Sequence, residues 1–234
     1  MRLSGVAVSP GISVGNAQIV LVQEMTVRRI TLPEGPVEPE VERLNRAIEA
    51  TIGDVEALKE QARGKLSEDF LAIFDAHVII LKDPALFKNA VEHIRTGRIN
   101  AEFAFQCAIQ DMVKGLLATE DPYFQERASD LEDLRRRTLG HLAGGSSAPP
   151  QLGSDNMILL ADTLTTSETS TFHNAPIVGF ATEHGARTSH TAIIARSLEI
   201  PAVVGVKGLM GAATSARTVI VDGLQGEGIL DPTQ

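Results

Sequence analysis

The sequence has a single cysteine, no long apolar run and a deficit of positive charge, and each of these absences excludes a class of protein. One thiol, Cys107, cannot form an intramolecular disulfide, which excludes a disulfide-rich secreted scaffold and favours a reducing compartment. No stretch approaches the roughly 18 consecutive apolar residues of a membrane-spanning helix. The first residues also lack the apolar core of a secretory signal peptide. We therefore expect a cytoplasmic protein that does not enter the membrane.

Several catalytic motifs are missing as well. The glycines at positions 205, 208 and 211 do not fit the G-x-x-x-x-G-K-S/T phosphate loop. Ser189 adjoins a histidine in sequence but lies in no nucleophile elbow, so we predict no catalytic triad. The six histidines show no spacing typical of metal ligands. We therefore expect this chain to bind no metal ion and no organic cofactor.

The charge of the chain is acidic and unevenly distributed. The net charge of −9 disfavours nonspecific binding to nucleic acid. Residues 34–143 carry 21 Asp and Glu against 14 Lys and Arg, a net charge of −7, whereas the remaining residues together carry −2. The acidity therefore belongs to the central segment.

The spacing of apolar residues divides the chain into three stretches. Leu3–Ser9 and Ala17–Val22 alternate in the manner of short strands. Over residues 33–144, apolar residues recur every three or four positions between capping residues and Asp-Pro pairs, which predicts four or five antiparallel helices. After a glycine- and proline-rich linker, strands and helices alternate. We predict an α/β subdomain of residues 1–24 and 146–234, interrupted by an all-α antiparallel helical bundle.

One histidine stands where a glycine turn becomes a helix. The run Gly185–Thr191 contains His190 and leads directly into an apolar helix. Unpaired N–H groups and the helix dipole attract an anion to such an end, and neutral imidazole is a good nucleophile near pH 7. The guanidinium of Arg187 can pair with phosphate oxygens. The alternatives are a surface or packing role for His190 and an ordinary salt bridge for Arg187, but the pattern favours a phosphoryl site.

Four runs carry a resemblance to a known family. Gly185–Ile193 and Ala195–Gly205 closely resemble the phosphohistidine signature of Enzyme I, the phosphoenolpyruvate-protein phosphotransferase of the bacterial sugar phosphotransferase system. Ser4–Ile12 resembles the amino terminus of that family, and Glu126–Asp130 resembles its helical segment. The resemblance implies a swivelling phosphohistidine α/β subdomain with an inserted all-α antiparallel helical bundle.

The resemblance also implies residue roles at the site. His190 would be phosphorylated at Nε2, and Thr169 would hydrogen-bond the active histidine. Without the resemblance, Thr169 belongs only to a helix-capping segment. Two positions depart from the family pattern: Ala186 replaces a second glycine, and Thr166 stands where proline is common. Neither change removes a chemical group, so both leave the assignment intact.

The same resemblance implies that the acidic insertion binds a partner protein. Members of the family exchange the phosphoryl group reversibly with HPr, a small phosphocarrier whose basic rim an acidic surface would steer. The residues that match the docking helices of the family are the acidic Glu68, Asp69 and Asp83, with the apolar Leu71, Phe74, Val78, Ile79 and Leu81 nearby. The predicted contacts among them are Glu68, Asp69, Phe74, Val78 and Asp83. Charge runs are usually solvated, and apolar helix residues usually belong to the core. A structural role is therefore the alternative for each of the five.

Full-length members of the family carry a carboxy-terminal barrel that binds phosphoenolpyruvate and Mg²⁺. We expect this chain to lack the barrel and to be unable to use phosphoenolpyruvate alone. Other hypotheses are the equivalent domain of a multidomain phosphotransferase, a nitrogen-branch Enzyme I, and the swivelling domain of a pyruvate-phosphate dikinase. A noncatalytic acidic module that captures a basic protein represents a different class of function.

Overall fold

The structure is a computed structural model that describes residues 1–20, 25–118, 122–145, 156–170, 172, 175–185, 190–214 and 216–232. The chain divides into two compact units. We name residues 1–23, 62–71 and 149–234 the α/β unit, and residues 24–61 and 72–148 the helical unit. The boundaries predicted from the sequence place residues 62–71 with the helices, whereas their contacts place them in the α/β unit.

The α/β unit contains an eight-stranded sheet. Its strands are β1 (Arg2–Ser4), β2 (Val6–Ser9), β3 (Ile12–Val20), β4 (Met157–Ala161), β5 (Ile177–Thr182), β6 (Ala202–Val204), β7 (Thr218–Asp222) and β8 (Glu227–Leu230). They lie in the order β1-β8-β7-β3-β4-β5-β6-β2. The four strands from β3 to β6 run parallel, and the outer pairs are antiparallel. The helices α1–α5 are inserted between β3 and β4.

The two ends of this sheet meet at a single residue. β1 pairs with β8 at one end and β2 pairs with β6 at the other, yet only Gly5 separates β1 from β2. Because neighbouring Cα atoms are about 3.8 Å apart, the sheet must curl round on itself like a barrel. A Cβ atom on Gly5 would lie 2.6 Å from the carbonyl oxygen of Val204, so only glycine fits. The prediction of one strand over Leu3–Ser9 is therefore wrong, since Gly5 divides it.

The second strand also differs from its prediction. The sequence indicates a strand over Ala17–Val22, but β3 begins at Ile12. Its first half pairs with β7, where Gly15 faces Val219, and its second half pairs with β4. Gly15 and Asn16 interrupt the apolar pattern, which hides the early start from the sequence. Residues 21 and 22 lie outside the described part of the chain.

Apolar side chains fill both faces of the sheet. The residues of β4, Met-Ile-Leu-Leu-Ala, are all buried, as expected for a strand covered on both sides. Ile158 and Leu160 join a cluster with residues of β6, β7 and β8. Met157 and Leu159 join a second cluster that includes Phe180 and apolar residues of the helix that follows β5. This second cluster anchors the helix that begins at the candidate site.

The helices confirm the mixed fold with an all-α insertion. They are α1 (Glu38–Ala62), α2 (Glu68–Leu81), α3 (Pro84–Gly97), α4 (Ala101–Leu117), α5 (Pro122–Leu142), α6 (Thr166–Ser170), α7 (His190–Ser197) and α8 (Leu209–Ala213). Asp83 caps α3 by accepting a hydrogen bond from the N–H of Ala85 at 2.8 Å, and Pro84 fills the first helical position. None of the helices in the described residues is long and apolar enough to cross a membrane.

Histidine–aspartate pairs join neighbouring helices within the helical unit. The shortest distances between their side chains are 3.3 Å for His77 and Asp130, 3.4 Å for His93 and Asp111, and 2.7 Å for His141 and Asp54. They connect α2 to α5, α3 to α4, and α5 to α1. Each of these histidines is therefore accounted for by the packing of the bundle.

Candidate functional site

The sequence-predicted site lies at the carboxyl edge of the parallel strands. α6 follows the end of β4, and α7 follows the end of β5, so both helices begin at the same edge of the sheet. α6 packs against α7, and α7 also packs on β6 and β2. In open and barrel-like α/β sheets, ligands bind at this edge because helix N-termini and loops converge there. The fold thus brings the segments of Thr169 and His190 together.

Thr169 is held by a capping box at the start of α6. The hydroxyl of Thr165 accepts from the N–H of Glu168 at 3.1 Å, and the carboxylate of Glu168 accepts from the N–H of Thr165 at 2.8 Å. Thr169 is fully buried one residue later, and its hydroxyl donates to the carbonyl oxygens of Thr165 and Thr166 at 2.9 and 3.1 Å. Since the single hydroxyl proton is used within the helix, the oxygen remains free to accept a hydrogen bond from an imidazole N–H.

The turn that precedes α7 is fixed from several sides. The N–H of Glu183 donates to the carbonyl of Ala161 at 3.0 Å, and its carboxylate accepts from the N–H groups of Gly208 and Met210. Gly185 has a φ of +136°, a conformation that side chains with a Cβ rarely adopt. A Cβ atom there would lie 3.3 Å from the Cβ of Val204. The glycine in the signature is therefore required by the backbone.

Helix α7 begins at His190, in agreement with the predicted helix start. Its first turn is tied to the loop after β4, because the hydroxyl of Thr191 donates to the carbonyl of Leu164 at 3.5 Å. Ala192, Ile194 and Ala195 are fully buried and fix the helix against the sheet. The side chain of His190 lies outside the described part of the structure, as do residues 186–189, among them Arg187. The roles of His190 and Arg187 therefore stay predictions.

Two buried hydroxyl groups at this edge have no hydrogen-bond partner among the residues that the structure describes. They belong to Thr166, the first residue of α6, and Thr182, the last residue of β5. Both residues are only 1% exposed, and a buried hydroxyl without a partner costs about 1–3 kcal/mol. The hydroxyl of Thr182 faces the Gly185 turn, where a Cβ would approach it to 3.4 Å. The sequence comparison with the family marks Thr166 as unusual, whereas no local pattern marks Thr182.

The five predicted docking residues are placed differently from one another. Glu68 and Asp69 are exposed in the first turn of α2, and Val78 is half-buried on the same helix. Asp83 is half-buried, and its carboxylate is engaged in capping α3. Phe74 is fully buried in the core, so its side chain offers no surface to a partner, and a docking role for it is wrong.

Ile79 is the most exposed of the apolar residues of α2 that the resemblance places near the docking acids. It is 71% exposed, more than any other large hydrophobic residue in the described part of the chain. Asp75 on the same helix is exposed too and pairs with Lys59 of α1 at 2.5 Å. Ile79 lies five positions from the buried Phe74 and so falls on another side of the helix.

Two ionisable groups in the described part of the chain have pKa values shifted from their ordinary range. Burial raises the pKa of the Cys107 thiol above its ordinary value. Hydrogen bonds from the N–H groups of Arg217 and Thr218 lower the pKa of the Asp231 carboxyl. Among the described residues, no group of three or more His, Cys, Asp or Glu side chains could hold a metal ion. Mg²⁺ therefore stays an expectation for the longer enzymes only.

The sequence of the chain is similar to those of known proteins. Residues 4–127 match the family described as PEP-utilising enzyme, N-terminal, and residues 153–226 match PEP-utilising enzyme, mobile domain. Phosphoenolpyruvate-protein phosphotransferase of Geobacillus stearothermophilus is 39% identical over 99% of this chain. The same enzyme of Priestia megaterium is 38% identical over 100% of this chain. The chain covers 40% of the length of each of these two relatives.

Solved structures show the same fold. A solution structure of Enzyme I (nEIt) matches with a TM-score of 0.76 and 36% identity, covering 99% of this chain and 94% of that one. The N-terminal domain of a nitrogen Enzyme 1 matches with a TM-score of 0.63 and 27% identity, covering 98% of this chain and 94% of that one. The chain belongs to the Enzyme I family of phosphoenolpyruvate-protein phosphotransferases and corresponds to its amino-terminal domain.

Proposed function

We propose that this chain carries a phosphoryl group on His190 and exchanges it reversibly with an HPr-type histidine phosphocarrier. The observation that supports this most is the start of α7 at His190, directly after a glycine-dependent turn at the carboxyl edge of the sheet. Family members named phosphoenolpyruvate-protein phosphotransferase are similar over the whole of this chain. Since the chain covers 40% of their length, the use of phosphoenolpyruvate belongs to the longer enzymes in this proposal.

The chemistry needs a nucleophilic nitrogen with a defined tautomer. Thr169 uses its hydroxyl proton within α6, so toward His190 it acts as an acceptor for Nδ1–H. That hydrogen bond leaves the lone pair on Nε2, which attacks the phosphorus atom. The bond from phosphorus to the nitrogen of the donor imidazole breaks as the bond to Nε2 forms. Such a transfer depends chiefly on positioning and on neutralising charge, and Arg187 supplies a cation for the phosphoryl oxygens.

The exposed residues of α2 provide the proposed docking surface. Glu68 and Asp69 supply negative charge, and Ile79 with the half-buried Val78 supplies apolar area. A basic carrier would be attracted by the charge of the helical segment and held by the apolar contact. Phe74 contributes only indirectly, because its side chain is buried in the core.

The decisive experiment is a labelling assay. The purified chain is incubated with a phosphorylated HPr-type carrier and analysed for an acid-labile, base-stable label. We expect label on the wild type and on the matched control His93→Ala, whose ring lies at the surface of the helical unit, and none on His190→Ala. Label that persists in His190→Ala would contradict the proposal. Carrier binding without any label would instead support the noncatalytic acidic module.

Two variations of the assay examine the partner and the donor. Sugar-branch and nitrogen-branch carriers tested in parallel identify the partner by the faster labelling. Labelling by either should weaken between 50 and about 300 mM salt, because the Debye length falls well below 10 Å in that range. With phosphoenolpyruvate and Mg²⁺ alone we expect no label, and strong labelling would show that this chain contains a phosphoenolpyruvate site.

A further inference from the structure

A fourth histidine–aspartate pair lies at the carboxyl edge of the sheet, outside the residues used so far. His184 follows the end of β5, and Asp162 follows the end of β4. The Nδ1 atom of His184 lies 2.8 Å from Oδ1 of Asp162, and its backbone N–H donates to the carbonyl of Asp162 at 2.9 Å. Asp162 therefore fixes both the backbone and the ring of His184.

The chemistry of the pair defines which ring nitrogen is available. An ionised carboxylate can only accept a hydrogen bond, so Nδ1 carries the proton. The other nitrogen, Nε2, has no hydrogen-bond partner among the described residues. The side chains of His184 and Asp162 are 67% and 52% exposed, and such exposed pairs contribute little to stability. The pair thus orients a ring whose Nε2 is open to solvent or to a ligand.

Its position differs from that of the three pairs in the helical unit. Those pairs connect two helices of the bundle, whereas His184 and Asp162 lie on two loops that backbone hydrogen bonds already join. The adjoining Glu183 carboxylate is occupied by the N–H groups of Gly208 and Met210, so the turn does not depend on the His184 ring for its shape. Packing does not account for this pair as it does for the others.

The pair also stands close to the start of α7. Leu164, two residues after Asp162, accepts a hydrogen bond from Thr191, the residue that follows His190. On the other side, His184 precedes Gly185, which packs against Val204 of β6, the strand on which α7 also packs. Both loops that carry the pair are therefore linked to the first turn of the helix that begins at His190.

Resting on the proposed function, we propose that His184 contacts the phosphoryl group carried by His190. In this contact the ring of His184 is protonated at both nitrogens, and its Nε2–H donates a hydrogen bond to a phosphoryl oxygen. Asp162 is the positioning residue, because its carboxylate orients the ring. The described charged groups next to the ring are Asp162 and the occupied carboxylate of Glu183. The dianionic phosphoryl group would complete the site with a third charge. No covalent bond to His184 forms in this arrangement.

Nitrogen NMR spectroscopy tests the contact directly. The chain labelled with ¹⁵N in its histidine rings is phosphorylated either by the carrier or by phosphoramidate, a small phosphoryl donor. We expect the Nε2 resonance of His184 to shift when His190 becomes phosphorylated, while the ring resonances of the matched control His93 stay in place. A His184 resonance that is unchanged by phosphorylation would overturn the proposal.

Transfer kinetics provide the second reading. A hydrogen bond to a charged group at an exposed site corresponds to about a threefold to tenfold effect on rate. We expect the His184→Ala variant to lose that factor in transfer from the carrier, and His184→Gln, which retains an N–H donor, to recover part of it. The His93→Ala variant should transfer at the wild-type rate. Equal rates for the wild type and His184→Ala would overturn the proposal.

Failure of the two proposals can be distinguished. If phosphoramidate labels His190 and the His184 signal shifts, but the carrier delivers no label, the partner assignment fails and the contact stands. If the carrier labels His190 normally and neither the His184 signal nor the rate responds, the contact fails and the proposed function stands. If no donor labels His190, both are overturned.

Discussion

Replacing Gly185 by alanine examines the turn on which the candidate site depends. Its φ of +136° falls in a region that residues with a Cβ rarely adopt, at a cost of about 1–3 kcal/mol. The added methyl group would also lie 3.3 Å from the Cβ of Val204 and 3.4 Å from the hydroxyl of Thr182, which is closer than most such contacts. Val204 is buried in the sheet and cannot move away freely. We therefore expect the free energy of unfolding of the α/β unit to fall by about 1–3 kcal/mol.

Urea and thermal unfolding followed by circular dichroism measure this effect. For a chain of this size, the expected loss corresponds to a fall in Tm of about 2–10 °C. Gly53→Ala is the matched control, because Gly53 lies in α1 with no atom within 4 Å of its added Cβ. Alanine at that helical position should raise the free energy of unfolding by about 0.5–1 kcal/mol. The two substitutions should therefore change the free energy of unfolding in opposite directions.

The labelling assay links the turn to function. If the Gly185→Ala protein folds, it should accept the phosphoryl group more slowly than Gly53→Ala at a temperature where both remain native. Unchanged stability of the Gly185→Ala protein would refute the argument from backbone conformation. Unchanged stability of the Gly53→Ala protein would contradict only the expected gain in α1 and not the argument about Gly185.

Three further substitutions test the stability of the fold, the affinity for the carrier and the pH dependence of stability. Thr166→Val removes a buried hydroxyl that has no partner in the described part of the chain, so the free energy of unfolding should rise by about 1 kcal/mol in urea denaturation. A fall would show that the hydroxyl is hydrogen-bonded in solution. Ile79→Ala should weaken carrier binding about fivefold or more in calorimetry, with the free energy of unfolding unchanged. The control is Leu117→Ala, because Leu117 is 53% exposed on α4 and this variant should bind the carrier normally. Equal affinities of the two variants would remove Ile79 from the docking surface. Asp231→Asn should be less stable than the wild type above pH 4, because a carboxyl with a lowered pKa stabilises the folded chain in its ionised form. The difference in the free energy of unfolding should vanish as the pH falls through that lowered pKa. A difference that is independent of pH would contradict the lowered pKa of Asp231.

The periodicity of the sequence predicted the helical insertion and the start of α7, because both depend on local signals. Capping residues and Asp-Pro pairs mark helix ends directly, as Asp83 and Pro84 do for α3. The turn at Gly185 is likewise visible, since glycine before a capped apolar run indicates a change of direction.

The features that the sequence did not predict depend on distant contacts. Nothing local distinguishes Gly5 from a glycine inside one strand, because its role comes from the carbonyl of Val204 and the pairing of β1 with β8. α2 is apolar over much of its surface, so its pattern did not show that Phe74 faces inward and Ile79 outward. The partnership of His184 with Asp162 requires the parallel pairing of β4 and β5, which local spacing does not specify.

The closure of the sheet at Gly5 has a consequence for biosynthesis. The ribosome releases β1 and β2 before helices α1–α5, yet β1 needs β8 and β2 needs β6, both of which are made after those helices. During translation, helices α1–α5 emerge long before those partners and can fold while the first two strands wait unpaired. Strands β1 and β2 can therefore complete the sheet of the α/β unit only after β6 and β8 have been synthesised.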